Sequence, residues 1–153
     1  MPTSIVIDDD LDVCQALAEY LEYAGLYVLG VAHNGKDGVE LFQNTNPDVV
    51  FLDWMMPKYD GLYALENIRK TGQGTHIIIL TATPPQEIVS RLHHHKPDRI
   101  IGKPFGIDEI RDSVVQIKKE NLIGRHPEPN LLQRRIVIAD QKAGNERIAS
   151  YHH

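Results

Sequence analysis

One cysteine in 153 residues excludes an intrachain disulfide. Cys14 lies in an apolar helical pattern, so it reads as a core residue rather than a nucleophile, and a lone thiol suits a reducing compartment. No apolar run approaches the roughly 20 residues of a membrane-spanning helix, and no basic segment followed by a long apolar one opens the chain. The expected location is therefore the cytoplasm, away from membranes. Basic residues are also in the minority: 16 Lys and Arg against 21 Asp and Glu leave a formal charge of −5. With no basic stretch to neutralise a phosphate backbone, direct nucleic-acid binding is not expected. Nothing stands in excess: 42% hydrophobic and 24% charged residues exclude a disordered or fibrous chain. The length fits one domain, α/β or α+β, able to bury about two thirds of its unfolded surface.

Short β-branched runs recur: Ser4 to Ile7, Tyr27 to Ala32, Val49 to Leu52, Ile77 to Leu80, and Ile100 to Ile101 with their neighbours. Each is continuously apolar rather than alternating, which predicts strands buried on both faces. Helical spacing fills the gaps. Val13, Leu17 and Leu21 share a face, as do Leu62, Leu65 and Ile68, while Ile107, Ile110, Val114 and Ile117 follow a/d spacing. Shorter helices fit Lys36 to Gln43 and Gln86 to Leu92. Strand alternating with helix five times predicts an α/β fold, a doubly wound five-stranded parallel sheet with helices on both faces. In such sheets ligands gather at the carboxyl ends of the strands.

Asp8 and Asp9 follow the first strand, Asp53 ends the third, Thr81 follows the fourth and Lys103 closes the fifth. Three crowded carboxylates repel, and a hard divalent cation with oxygen ligands relieves them. Mg²⁺ suits a site that handles phosphate, because it takes few carboxylates and keeps waters and phosphate oxygens. Lys103 adds a positive charge for an anion and Thr81 a hydroxyl. Such a set fits phosphoryl transfer, where catalysis is mostly positioning and charge stabilisation. Taken singly, each piece has a plainer explanation. An Asp-Asp pair after a strand is usually a cap and a solvated loop, and Asp10 reads as the cap of a helix beginning near Leu11. A threonine after a strand is commonly a turn residue, and a lysine before proline a surface residue. Five polar groups at successive strand ends are not expected as independent accidents.

The segments Ile5-Val6-Ile7-Asp8-Asp9-Asp10, Val50-Phe51-Leu52-Asp53-Trp54-Met55-Met56-Pro57, Asp60-Gly61, Leu80-Thr81-Ala82 and Lys103-Pro104-Phe105 resemble, in order, the motifs of response-regulator receiver domains of the chemotaxis-regulator type. The resemblance runs from Thr3 to about Asn121, and implies a receiver over residues 1–121 with a linker or extension over 122–153. It implies a flavodoxin-like strand order 2-1-3-4-5. Asp53 would be the phosphoacceptor, forming an aspartyl phosphate. Asp9, Asp53 and the Met55 backbone carbonyl would hold Mg²⁺, with Asp8 acting through a water. Trp54 and Ala82 would bind the phosphoryl group, Thr81 would bond it and move with it, and Lys103 would pair with it, its peptide bond to Pro104 being cis. Gly61 would open the turn beside Asp60. The implied partners are a sensor histidine kinase and a downstream effector protein or output domain, with a homodimer possible.

Two stretches depart from the family pattern. Ile100, at the switch position, replaces the aromatic found there in many receivers, which puts an aromatic rotamer readout in doubt. His93-His94-His95-Lys96-Pro97-Asp98 stands in place of a small turn, and reads as a solvated helix end because adjacent histidines do not converge on one ion. Further on, His126-Pro127-Glu128-Pro129 reads as a linker, Leu131 to Ala139 as a helix or an added strand, and His152-His153 as tag residue. The competing functions are an aspartyl-phosphate phosphatase and a non-phosphorylated interaction module. The first wants an acid-base aspartate where Met55 stands, and the second would lack part of the acidic cluster or the lysine. Met55 is expected to fill the space above the site and so slow self-dephosphorylation.

Overall fold

The structure, a computed structural model, describes residues 1–71, 74–92, 95–122, 136–140 and 145–149. Five strands, β1 (Thr3–Ile7), β2 (Tyr27–Ala32), β3 (Val49–Asp53), β4 (His76–Thr81) and β5 (Arg99–Gly102), alternate with α1 (Leu11–Tyr23), α2 (Gly35–Thr45), α3 (Gly61–Thr71), α4 (Pro85–Arg91) and α5 (Ile107–Leu122). They pair in parallel in the order β2-β1-β3-β4-β5, as expected. The sheet then runs on: β6 (Ile136–Asp140) joins β5 in parallel and β7 (Asn145–Ala149) returns antiparallel, making seven strands. Of the two readings of Leu131 to Ala139, the added strand holds from Ile136 on, and residues 131–135 lie outside the described ones, as do His126–Pro129 and His152–His153.

The pleat sends alternate side chains to opposite faces. Ile5, Ile7, Val50, Leu52, Ile77, Ile79 and Ile100 pack with Val39 and Phe42 of α2, Ala64, Leu65 and Ile68 of α3, and Ile88 of α4. Val6, Val49, Phe51, Ile78, Leu80 and Ile101 pack with Cys14, Leu17 and Leu21 of α1 and Ile110, Val114 and Ile117 of α5. Covered on both faces, β1, β3 and β4 read as continuous apolar runs for this reason. β2 differs from its expectation as a buried strand: Tyr27, Leu29 and Val31 are exposed, because β2 is the edge of the sheet. Ile107 is likewise not core but 63% exposed at the first residue of α5. Val13 and Leu62 are only half-buried, and Cys14 and Ala64 take the inward places beside them.

Asp10 caps α1 as expected, accepting from the backbone N–H groups of Asp12 and Val13. The stretch read as a solvated helix end is mostly interior where it is described. Lys96 and Pro97 are buried, Asp98 is half-buried, and His93 and His94 lie outside the described residues. Arg69, at the end of α3 and 1% exposed, draws this segment inward: it donates to the Lys96 carbonyl at 2.9 Å, to the Thr75 carbonyl, and to Asp98 at 2.8 Å. Asp98 also accepts from Ile77 N–H at 2.8 Å, so one carboxylate ties α3 to the amino end of β4.

Candidate functional site

The sheet register determines who meets at the carboxyl rim. Ile7 pairs with Leu52, Asp53 with Leu80 and Thr81 with Gly102, so Asp8, Asp53, Thr81 and Lys103 all stand at or just past the last rungs of adjacent strands. Carboxylate oxygens of Asp8, Asp9 and Asp53 lie within 4.8 Å of one another. Among the described residues this is the only group of three potential metal ligands so close, and its all-oxygen donor set fits a hard divalent cation.

Asp8 is 3% exposed and Asp53 7%, whereas Asp9 is exposed. Burial first, and then the Asp8 charge, push Asp53 up to about 7; Lys103 and a hydrogen bond from the Met55 backbone pull the other way without prevailing. Lys103 Nζ donates to Asp8 at 2.7 Å and lies 3.8 Å from Asp53. Asp8 thus has a direct ammonium partner. Thr81 is fully buried, its hydroxyl accepting from Thr83 N–H at 3.1 Å. The Lys103–Pro104 peptide bond is cis, the isomer accessible before proline.

The chain after β3 turns sharply to enter α3. A Cβ on Gly61 would sit 2.6 Å from both the Asp53 carbonyl oxygen and Trp54 Cα, so only glycine admits this approach, and its N–H donates to Trp54 O at 2.9 Å. Asp60 then caps Tyr63 N–H at 3.0 Å. The loop is also held from α2, where Gly35 N–H donates to Tyr59 O at 2.7 Å.

The other expected residues fall on both sides of the pocket wall. The Trp54 side chain is buried in the core, which leaves its backbone as the part able to meet a phosphoryl group. Ala82 is exposed just past β4. Met55, just past the end of β3, is 65% exposed. Ile100 is fully buried among aliphatic side chains, away from the rim, where an aliphatic residue has no polar tip to turn outward.

Two neighbours of the site were not anticipated. Cys14 Sγ lies 3.2 Å and His33 Nδ1 3.1 Å from the Asp8 carbonyl oxygen. Burial pushes the Cys14 thiol up to about 11, so it remains a thiol, in keeping with the core reading. Its place six residues after Asp8, one turn into α1, was a readable signal; His33 carried none.

Fold and site together define a doubly wound α/β domain with an acidic pocket, a hydroxyl and a lysine on its carboxyl rim. The chain belongs to the response regulator receiver domain family, whose profile matches residues 5–115. It is 32% identical over 117 residues to the probable C4-dicarboxylate response regulator DctR of Priestia megaterium, covering 76% of this chain and 51% of that protein. It is 38% identical over 112 residues to the response regulator MprA of Mycobacterium sp. (strain KMS), covering 72% and 48%. The chain thus spans about half the length of these curated relatives. Among solved structures, it is similar to the receiver domain of the Francisella response regulator 1452 (34% identity, TM-score 0.69, covering 79% of this chain and 99% of that one). It is also similar to TrrA of Thermotoga maritima in complex with Mg(2+)-BeF (32%, TM-score 0.68, covering 76% and 99%). Among the described residues no helix is long and apolar enough to cross a membrane.

Proposed function

We propose that this chain is a phosphorylation-dependent switch of a two-component system, accepting a phosphoryl group from a sensor histidine kinase on Asp53. The observation that carries the reading is a buried Asp53 carboxylate facing two further carboxylates and the Lys103 ammonium. An Asp53 oxygen attacks phosphorus, the P–N bond to the donor imidazole breaks, and an acyl phosphate remains. Asp8, Asp9, Asp53 and the Met55 carbonyl would hold Mg²⁺, which when bound offsets the charge of carboxylates and phosphoryl oxygens. Lys103 turns from Asp8 to the phosphoryl oxygens, while the Thr81 hydroxyl and the Trp54 and Ala82 backbone N–H groups donate to them. Thr81 carries the readout. With Ile100 locked in the core, the signal leaves through the β4–α4 loop.

Moving a two-state equilibrium from mostly off to mostly on takes about 5.5 kcal/mol of differential stabilisation, so the new dianion must be tightly coupled to that loop. Output passes by protein–protein contact to an effector or output domain in the cytoplasm, with residues 1–121 as the receiver and 122–153 as its extension. Turnover of outside substrates is disfavoured by Met55 at the place of a second acid-base carboxylate. Incubation with acetyl phosphate and Mg²⁺ is expected to add one phosphoryl mass, lost in Asp53→Asn. A full mass shift in that variant refutes the assignment.

A further inference from the structure

We propose that Cys14 and His33 are positioning residues for Asp8, holding its backbone from α1 and from the end of β2 so that its carboxylate faces the cation site. This rests on the reading of Asp8 as part of that site. β1 ends at Ile7, so the Asp8 carbonyl lies past the last rung of its strand, in a buried residue. It takes two side-chain donors instead: Cys14 Sγ at 3.2 Å and His33 Nδ1 at 3.1 Å, the two themselves 3.8 Å apart. A carbonyl oxygen only accepts, so His33 carries its proton on Nδ1. The remaining polar atoms of Asp8 are equally engaged. Its N–H donates to Ala32 O at 3.0 Å, Oδ1 accepts from Asp10 N–H at 2.9 Å, and Oδ2 accepts from Lys103 at 2.7 Å. The backbone contacts to α1 and β2 fix where the Asp8 Cα stands, and from that anchored position the carboxylate, held by Asp10 N–H and Lys103, is presented to the cation site. Groups that orient metal ligands typically weaken metal affinity by about 10-fold or more when removed.

Titration of the full chain with Mg²⁺ alone, read by calorimetry and by emission of Trp54, the one tryptophan and next to Asp53, tests this. Cys14→Ala and His33→Leu are each expected to weaken Mg²⁺ by about tenfold. Cys14→Ser and His33→Asn, which keep a donor, should retain most of the parent affinity. A purely structural role would lower the melting temperature in EDTA yet leave Mg²⁺ affinity unchanged, and that result overturns the proposal. So does a loss in Cys14→Ser as large as in Cys14→Ala. Asp8→Asn separates the two readings. If it loses Mg²⁺ while Cys14→Ala and His33→Leu keep it, the positioning role alone falls; if it binds like the parent, the metal assignment falls and this inference with it.

Discussion

Asp53 keeps its proton to a higher pH than an exposed aspartate does, because its neighbourhood is dry and already negative. Its folded value of about 7 lies above the ordinary 3.8, so folding favours the protonated form. Its contribution to stability is complete below the ordinary value and is lost as pH rises through about 7. In EDTA the melting temperature is therefore expected to fall from pH 5 to pH 8 more steeply in the parent than in Asp53→Asn; parallel curves would refute this. Protons and cation compete for the same oxygens, so Mg²⁺ should raise the melting temperature more at pH 8 than at pH 5. Substituting both Asp8 and Asp9 by Asn should abolish that rise.

At the scale of elements, two joints can be tested separately. Gly61→Ala places a methyl against the backbone of Asp53 and Trp54, so α3 must back away from the end of β3. Both stability and the rate of phosphorylation by acetyl phosphate should drop. Asp98→Ala acts at the opposite end of β4, removing the carboxylate that Arg69 and the Ile77 N–H share. It is expected to lower stability, read as the urea midpoint, with the Mg²⁺ affinity of the rim little changed. The elements were legible where both faces of a strand are covered, as in β3, whose five residues are all buried. They were misread where a tertiary position decides: nothing in Tyr27 to Ala32 says that this strand lies at an edge, and nothing in the spacing of Ile107 says that its helix begins there. The five rim residues could be found because each ends a strand or follows within two residues of its end. The His33 contact could not, because it depends on a register shift between Ser4 and Ile5 that brings Ala32 level with Ile7 and so His33 beside Asp8.

Across the whole molecule, the sheet outlasts the family match: β6 lies along β5 beyond residue 115. A chain ending at Leu122 should still fold and still take up one phosphoryl group with Mg²⁺, since the rim is built from residues before Pro104. It would bare the edge of β5, and open edges pair with one another. Light scattering after size exclusion is expected to show more self-association in the shortened chain than in the parent at equal concentration; an unchanged monomer fraction would count against an edge-covering role for β6.

The last rungs of β3 and β4 are Asp53 and Thr81, and beyond them the backbone leaves the ladder for turns exposed at Pro57 to Asp60 and at Ala82 and Pro84. The pocket therefore has an anvil and a hinge. Its floor is a packed plate gripped by two cores and resists displacement, while its lip is held by a few hydrogen bonds. On the proposed reading, a blow struck on Asp53 would leave the plate undented and shift the lip, the part of the surface for which a partner would feel.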